Sequence, residues 1–163
     1  MKLLLHGEKV ESVFDLLGYN ENGLTYALGW ILSRNEELLK MIVKKVSGKD
    51  YECKGSKVSL QKFWEKDQGF TDMELLVDND LFLIIEAKIG WKLPGQKQLS
   101  RYSARFKEYR AYKKRFVIIS ECTKEYAIEE LKNLKSKIPI EYLSWHEIHS
   151  LVHKVRRKSS NQQ

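Results

Sequence analysis

Residues 69 to 90 read GFTDMELLVDNDLFLIIEAKIG. This apolar stretch carries Asp72, Glu86 and Lys88, groups whose charges are too costly to bury without partners. A divalent cation would neutralise the two carboxylates. Magnesium favours hard oxygen ligands, commonly one or two carboxylates completed by water and substrate phosphate. Such an ion activates a water and stabilises the charge that develops on a phosphodiester. A lysine beside it steadies the attacking water or the oxyanion. The chemistry these residue types suit is metal-assisted hydrolysis of a phosphate ester. The plainer alternative makes Asp72 and Lys88 a structural ion pair and leaves Glu86 at a solvated edge.

The elements that must bring these groups together are two strands, over about 71–77 and 81–88, separated by the turn signal DND. Side chains alternate along a strand, so Glu86 and Lys88 share a face with Phe82 and Ile84, and Ala87 lies on the other. Both faces are apolar, which marks a central strand covered on both sides. If DND is a three-residue loop, Val77 opposes Leu81 and Asp72 opposes Glu86. Opposed residues share a face, with Cβ atoms about 4.5–5.5 Å apart. A two-residue loop would turn Asp72 to the other face.

Around this pair the chain reads as a long helix from about Glu21 to Val46, started by Asn20 or Asn22. A strand-like segment interrupted at Gly55 and Ser56 follows, suggesting a hairpin. After the two strands come a helix over 94–112, a strand at RFVIIS, a helix at TKEYAIEELKNLKSK, a strand at IEYLSW and a final helix. Helix, antiparallel strands, then alternating helix and strand predicts an α/β domain with a mixed sheet flanked by helices.

Asp72 followed by Glu86-Ala87-Lys88 resembles the PD-(D/E)xK nuclease superfamily, the restriction-endonuclease-like fold. QLSRY resembles that family's Gln-x-x-x-Tyr element, with Gln98 and Tyr102 one helical turn apart. ENGLTYAL resembles its first-helix glutamate, at Glu21, and YLSWHEI its late strand-to-helix junction. FTD stands where the family's name has proline-aspartate. The resemblance implies a Mg²⁺- or Mn²⁺-dependent phosphodiesterase acting on nucleic acid, with DNA favoured over RNA. It implies that Asp72 and Glu86 bind metal, with the Ala87 carbonyl and Glu21 as further ligands. Lys88 would position or activate the water, Gln98 would orient that lysine or a phosphate, and Tyr102 would support the site. A nucleic-acid-binding or complex-forming protein of the same fold, without chemistry, is the alternative.

The rest of the sequence supplies binding surfaces. Lys97, Arg101 and Arg105 recur every fourth residue beside Gln98, a row suited to phosphates or to simple solvation. Trp91, in KIGWKLPG, is placed to stack on an unpaired base. His146, His149 and His153 on the last helix lack an acidic partner and read as a solvated stripe. KVRRK suits either phosphate or the helix C-terminus.

With 163 residues, the chain suits one domain, and its formal net charge of +7 suits either a polyanionic partner or simple solubility. We place that domain at 1–157, with 158–163 as a frayed tail. Two cysteines outside any CxxC pair, no signal-peptide pattern and no membrane-length apolar run predict a reduced, cytoplasmic protein. A homodimer or a larger complex is the expected assembly, with no membrane partner.

Overall fold

The computed structural model describes residues 4–5, 8–9, 20–64 and 69–160. Short strands β1 (Leu4–Leu5) and β2 (Glu8–Lys9) pair with each other. The main sheet has the order β3 (Lys57–Trp64), β4 (Gly69–Val77), β5 (Leu81–Ala87), β6 (Lys113–Ser120), β7 (Ile140–Ser144). Strand β4 is antiparallel to both its neighbours, β3 and β5, and β5, β6 and β7 are parallel. This is an α/β architecture with a mixed five-stranded sheet.

The β4–β5 hairpin turns through Asp78, Asn79 and Asp80, and Val77 opposes Leu81 as expected. Asp78 and Asn79 adopt φ of 49° and 56°, a conformation these residue types tolerate better than most. The Asp78 carboxylate also accepts from the backbone of Cys53 at 2.8 Å and Gly55 at 3.2 Å. That tie shows why the expected hairpin at Gly55 does not form. Residues 51–56 are a loop pinned to the β4–β5 turn, and only β3 follows it.

Every residue of β5 is buried. Its odd-numbered side chains pack with Met73, Leu75 and Val77 against the helices α1 (Glu21–Arg34), α2 (Glu36–Ser47) and α5 (Trp145–Ser160). Phe82 and Ile84 pack on the opposite face with Leu99, Tyr102, Phe106 and Phe116, beneath α3 (Gln96–Arg105) and α4 (Lys124–Lys132). The sheet is therefore covered on both sides.

The predicted long first helix is two helices. Asn35 ends α1 in extended backbone (φ −130°, ψ 93°), and its side chain accepts from Leu38 N at 2.8 Å to cap α2. An asparagine that satisfies the backbone locally competes with helix continuation. Asn20, not Asn22, caps α1, accepting from Gly23 N at 2.8 Å. Gly29 lets α1 lie close on β3, since a Cβ there would come 2.7 Å from Leu60 Cδ2. That packing brings the first turn of α1, with Glu21, to the sheet.

Helix α3 starts at Gln96 and gives way to a 3-10 turn at Phe106–Glu108, shorter than the predicted 94–112. The strand-to-helix junction into α5 is a capping box. Glu147 N donates to Ser144 Oγ at 3.0 Å, and Ser144 N donates to Glu147 Oε2 at 2.9 Å. Helix α5 runs through Ser160, so residues 158–160 of the expected tail are helical, and 161–163 lie outside the described residues. Among the described residues, no helix is long and apolar enough to cross a membrane.

Candidate active site

The paired backbones of β4 and β5 run from Val77–Leu81 to Met73–Ile85, and the next step of that register sets Asp72 against Glu86. There the side chain of Asp72 takes over from the backbone. Its Oδ2 accepts the Ala87 N–H at 3.0 Å. Its Oδ1 has only a long contact, 3.4 Å from Gln61 Nε2. Gln61 lies in β3 between residues paired with Met73 and Thr71, and its φ of 43° is uncommon for a non-glycine residue. The strand backbone thus departs from regular geometry beside Asp72.

Glu86 is 1% exposed, and both of its oxygens have partners. Oε1 lies 2.6 Å from Lys88 Nζ and also accepts from Gln98 Nε2. Oε2 lies 2.9 Å from the Tyr102 hydroxyl. That hydroxyl is also 3.0 Å from the Phe70 carbonyl, with one proton to donate between the two acceptors. Lys88 Nζ reaches across to Glu21 Oε1 at 2.9 Å. The structure therefore brings Glu21, Asp72, Glu86, Lys88, Gln98 and Tyr102 into one cluster, from the first turn of α1, two strands of the sheet and α3.

The electrostatics follow from burial. Asp72 is pushed up to about 6, by desolvation first and by the charge of Glu86 second. Burial on its own would lower Lys88. The hydrogen bond and charge of Glu86, with Glu21 and Asp72 behind them, prevail and hold its ammonium above the ordinary lysine value. Lys88 is thus a cation at neutral pH, suited to holding an anion or a water rather than to taking a proton. Tyr102 is pushed up to about 12 by burial and by Glu86, so its hydroxyl stays a donor.

The donor set consists of hard oxygens, which suits Mg²⁺ or Mn²⁺. Asp72 has acceptor capacity left, and burial first and the Glu86 charge second push its carboxyl up, so a bound cation would favour its ionised form. The ammonium of Lys88 now lies between Glu86 and Glu21. No group of three or more His, Cys, Asp or Glu side chains is arranged to hold a metal among the described residues.

The basic row does not hold as drawn. Lys97 and Arg101 are exposed, and the Arg101 guanidinium sits 5.0 Å over the Tyr102 ring. Arg105 is only 4% exposed. Its Nε donates to Glu74 Oε1 at 2.7 Å and its Nη2 to Glu74 Oε2 at 3.2 Å, and it also pairs with Glu108. The reason is helix geometry: each four-residue step advances about 40° around the axis, so two steps carry Arg105 from the solvent flank toward the sheet. Arg105 is a structural ion-pair partner and not a phosphate contact.

Glu74, buried at 2% exposure, is the residue that sequence reasoning missed. Burial pushes its carboxyl up, but hydrogen bonds from Arg105 and Tyr109 outweigh that and hold it below the usual range. A glutamate set between Met73 and the apolar run Leu75-Leu76-Val77 was the available signal. Trp145 was likewise missed as a site residue: its indole Nε1 donates to the Lys88 carbonyl at 2.9 Å and fixes the backbone there. Trp91 is 58% exposed, with its ring 5.1 Å from that of Tyr126. His146, His149 and His153 are all exposed, with His149 and His153 Nε2 atoms 3.1 Å apart. No protein-family description, curated protein or solved structure matches this chain.

Proposed function

We propose that this chain is a Mg²⁺- or Mn²⁺-dependent nuclease with a restriction-endonuclease-like fold, hydrolysing phosphodiester bonds of nucleic acid, DNA in preference to RNA. One observation carries the reading: Asp72 and Glu86 meet across a hairpin with Lys88 and the Gln98–Tyr102 pair upon them. The arrangement accords with the Asp…Glu-x-Lys…Gln-x-x-x-Tyr resemblance in its order and in its elements.

Asp72, Glu86 and the Ala87 carbonyl would hold the metal, with Glu21 as an outer partner. When bound, the ion supplies Lewis acidity toward the phosphate and a more acidic water. The residues of this chain do the rest. Lys88, protonated and one position beyond the sheet, holds the nucleophilic water or the oxyanion. Gln98 and Tyr102 fix the Glu86 carboxylate from α3. The buried Arg105–Glu74 pair locks α3 against β4, so that Gln98 and Tyr102 stay in reach. Lys97 and Arg101, exposed on the same helix, meet the nucleic-acid backbone. The proposal places the chain in the cytoplasm, in keeping with two buried free thiols, Cys53 and Cys122.

A second reading, a nucleic-acid-binding protein without chemistry, rests on the complete satisfaction of both Glu86 oxygens by protein groups. Calorimetry with Mn²⁺ separates the two. The nuclease reading predicts binding by the wild type that is lost in Asp72→Ala and in Glu86→Ala. Absence of Mn²⁺ binding by the wild type favours the second reading.

A further inference from the structure

Strands β3, β5 and β6 run in one direction and β4 in the other. The carboxyl ends of the first three and the amino end of β4 therefore make up one end of the sheet. Asp72, Glu86 and Lys88 lie at that end. So do two exposed aromatic pairs. Phe63, on β3, and Phe70, on β4, are cross-strand partners with ring centroids 5.0 Å apart. Trp91, just beyond β5, and Tyr126, in the first turn after β6, are 5.1 Å apart. These four rings are 45%, 50%, 58% and 39% exposed. They are four of the seven large hydrophobic side chains exposed among the described residues, which makes their gathering at one end of the sheet the feature to explain.

Their order along that end is also informative. With the strands ordered β3-β4-β5-β6, the phenylalanine pair lies to one side of the carboxylates and the Trp91–Tyr126 pair to the other. Both are tied to the site through backbone. The Phe70 carbonyl is 3.0 Å from the Tyr102 hydroxyl that serves Glu86. The Gly90 carbonyl, next to Trp91, accepts from Glu121 N at 3.0 Å, and the Lys88 carbonyl accepts from Trp145. Exposed cations accompany the rings: Lys92 follows Trp91, and Arg101 stacks over Tyr102.

Rings that flank a phosphate-directed site, with cations between, suit a strand whose bases are free to stack. A duplex keeps its bases stacked inside and offers aromatic rings little but its backbone. We propose that the substrate strand is unpaired where it is cleaved: nucleotides on either side of the scissile phosphate stack on Phe63–Phe70 and on Trp91–Tyr126. This rests on the nuclease reading for the position of the phosphate. The class of ligand is single-stranded nucleic acid, as a free strand, a flap or an opened end.

Binding in Ca²⁺, which supports occupancy of the metal site without requiring turnover, tests this independently of cleavage. The probes are a fluorescent oligothymidylate, the matching oligouridylate and a blunt duplex of equal length. Wild type should prefer oligothymidylate to the duplex by tenfold or more. Phe63→Ala/Phe70→Ala and Trp91→Ala/Tyr126→Ala should each weaken oligothymidylate binding roughly ten- to a hundredfold, as expected for loss of one stacked base. The salt slope should not change, because stacking releases no counterions. Phe70→Tyr and Trp91→Phe, which keep a ring, should bind within a few-fold of wild type; this guards against a fold defect in the alanine variants. Equal wild-type affinity for duplex and single strand, or alanine variants that bind like wild type, would overturn the inference. Metal-dependent cleavage together with that result would leave the nuclease reading intact. Selective single-strand binding without any cleavage would overturn that reading and leave the stacking surface standing.

Discussion

Asp72→Asn should stabilise the metal-free protein at neutral pH. The folded state raises Asp72 from 3.8 to about 6, so it keeps a proton that the unfolded chain has already released. Unfolding therefore releases a proton between about pH 4 and pH 6, and wild-type stability falls as pH rises through that window. Below it, aspartic acid and asparagine are nearly equivalent; above it, the wild type carries the whole penalty. Two pH units correspond to about 3 kcal/mol. We expect about 1–2 kcal/mol, because relaxation around a buried charge offsets part of that figure. Asparagine retains an acceptor for the Ala87 N–H, so that hydrogen bond is not lost. For a chain of this size the gain amounts to roughly 2–8 °C in Tm. The assay is urea unfolding in EDTA at pH 4 and pH 7.5. An Asn variant no more stable than wild type at pH 7.5, or one that gains equally at both pH values, would refute the electrostatic account of the site.

The remaining predictions concern the neighbours of that carboxylate. Lys88→Ala should abolish cleavage yet still bind Mn²⁺ by calorimetry; loss of metal binding with the lysine would make its role structural. Arg105→Ala should destabilise the fold by about 2–4 kcal/mol in chemical unfolding, because it removes the buried cation paired with Glu74 and leaves only the more distant Lys62, at 3.6 Å, with the Tyr109 and Thr71 hydroxyls. Lys97→Ala/Arg101→Ala should instead leave stability nearly unchanged and reduce the salt slope of duplex binding by about 0.9 per lost phosphate contact. Tyr102→Phe should cost about 1–3 kcal/mol by removing a buried donor from Glu86 and Phe70. It should also lower the cleavage rate without changing Mn²⁺ affinity.

What the sequence made legible follows from local chemistry. The DND loop fixed the β4–β5 register, and alternation then determined which residues share a face with Glu86. The junction into α5 was legible only to within a residue: IEYLSW reads as strand through Trp145, whereas the Ser144–Glu147 capping box starts the helix at Trp145. The break at Asn35 was hidden because Leu32 and Leu38 both stay buried on either side of it, so the apolar rhythm persists while the backbone turns. Arg105 was misplaced for a related reason. An i, i+4, i+8 row looks like one face on paper, but its drift brings the third member into the core. Glu74 escaped notice because its partners, Arg105 and Tyr109, come from a distant segment, and strand periodicity cannot name a partner across the fold. Glu21 was reached through resemblance, and its contact with Lys88 depends on how closely α1 settles on β3 at Gly29.

The central claim is that Asp72 and Glu86 support metal-dependent hydrolysis. Wild type, Asp72→Asn and Glu86→Gln should be incubated with end-labelled single-stranded DNA, a DNA flap, duplex DNA and RNA, first in EDTA and then with Mg²⁺ or Mn²⁺. The account predicts cleavage by the wild type alone, only with metal, and faster on DNA than on RNA. Cleavage in EDTA, cleavage by either variant at the wild-type rate, or wild-type protein that binds these strands with metal and cuts none of them would contradict it.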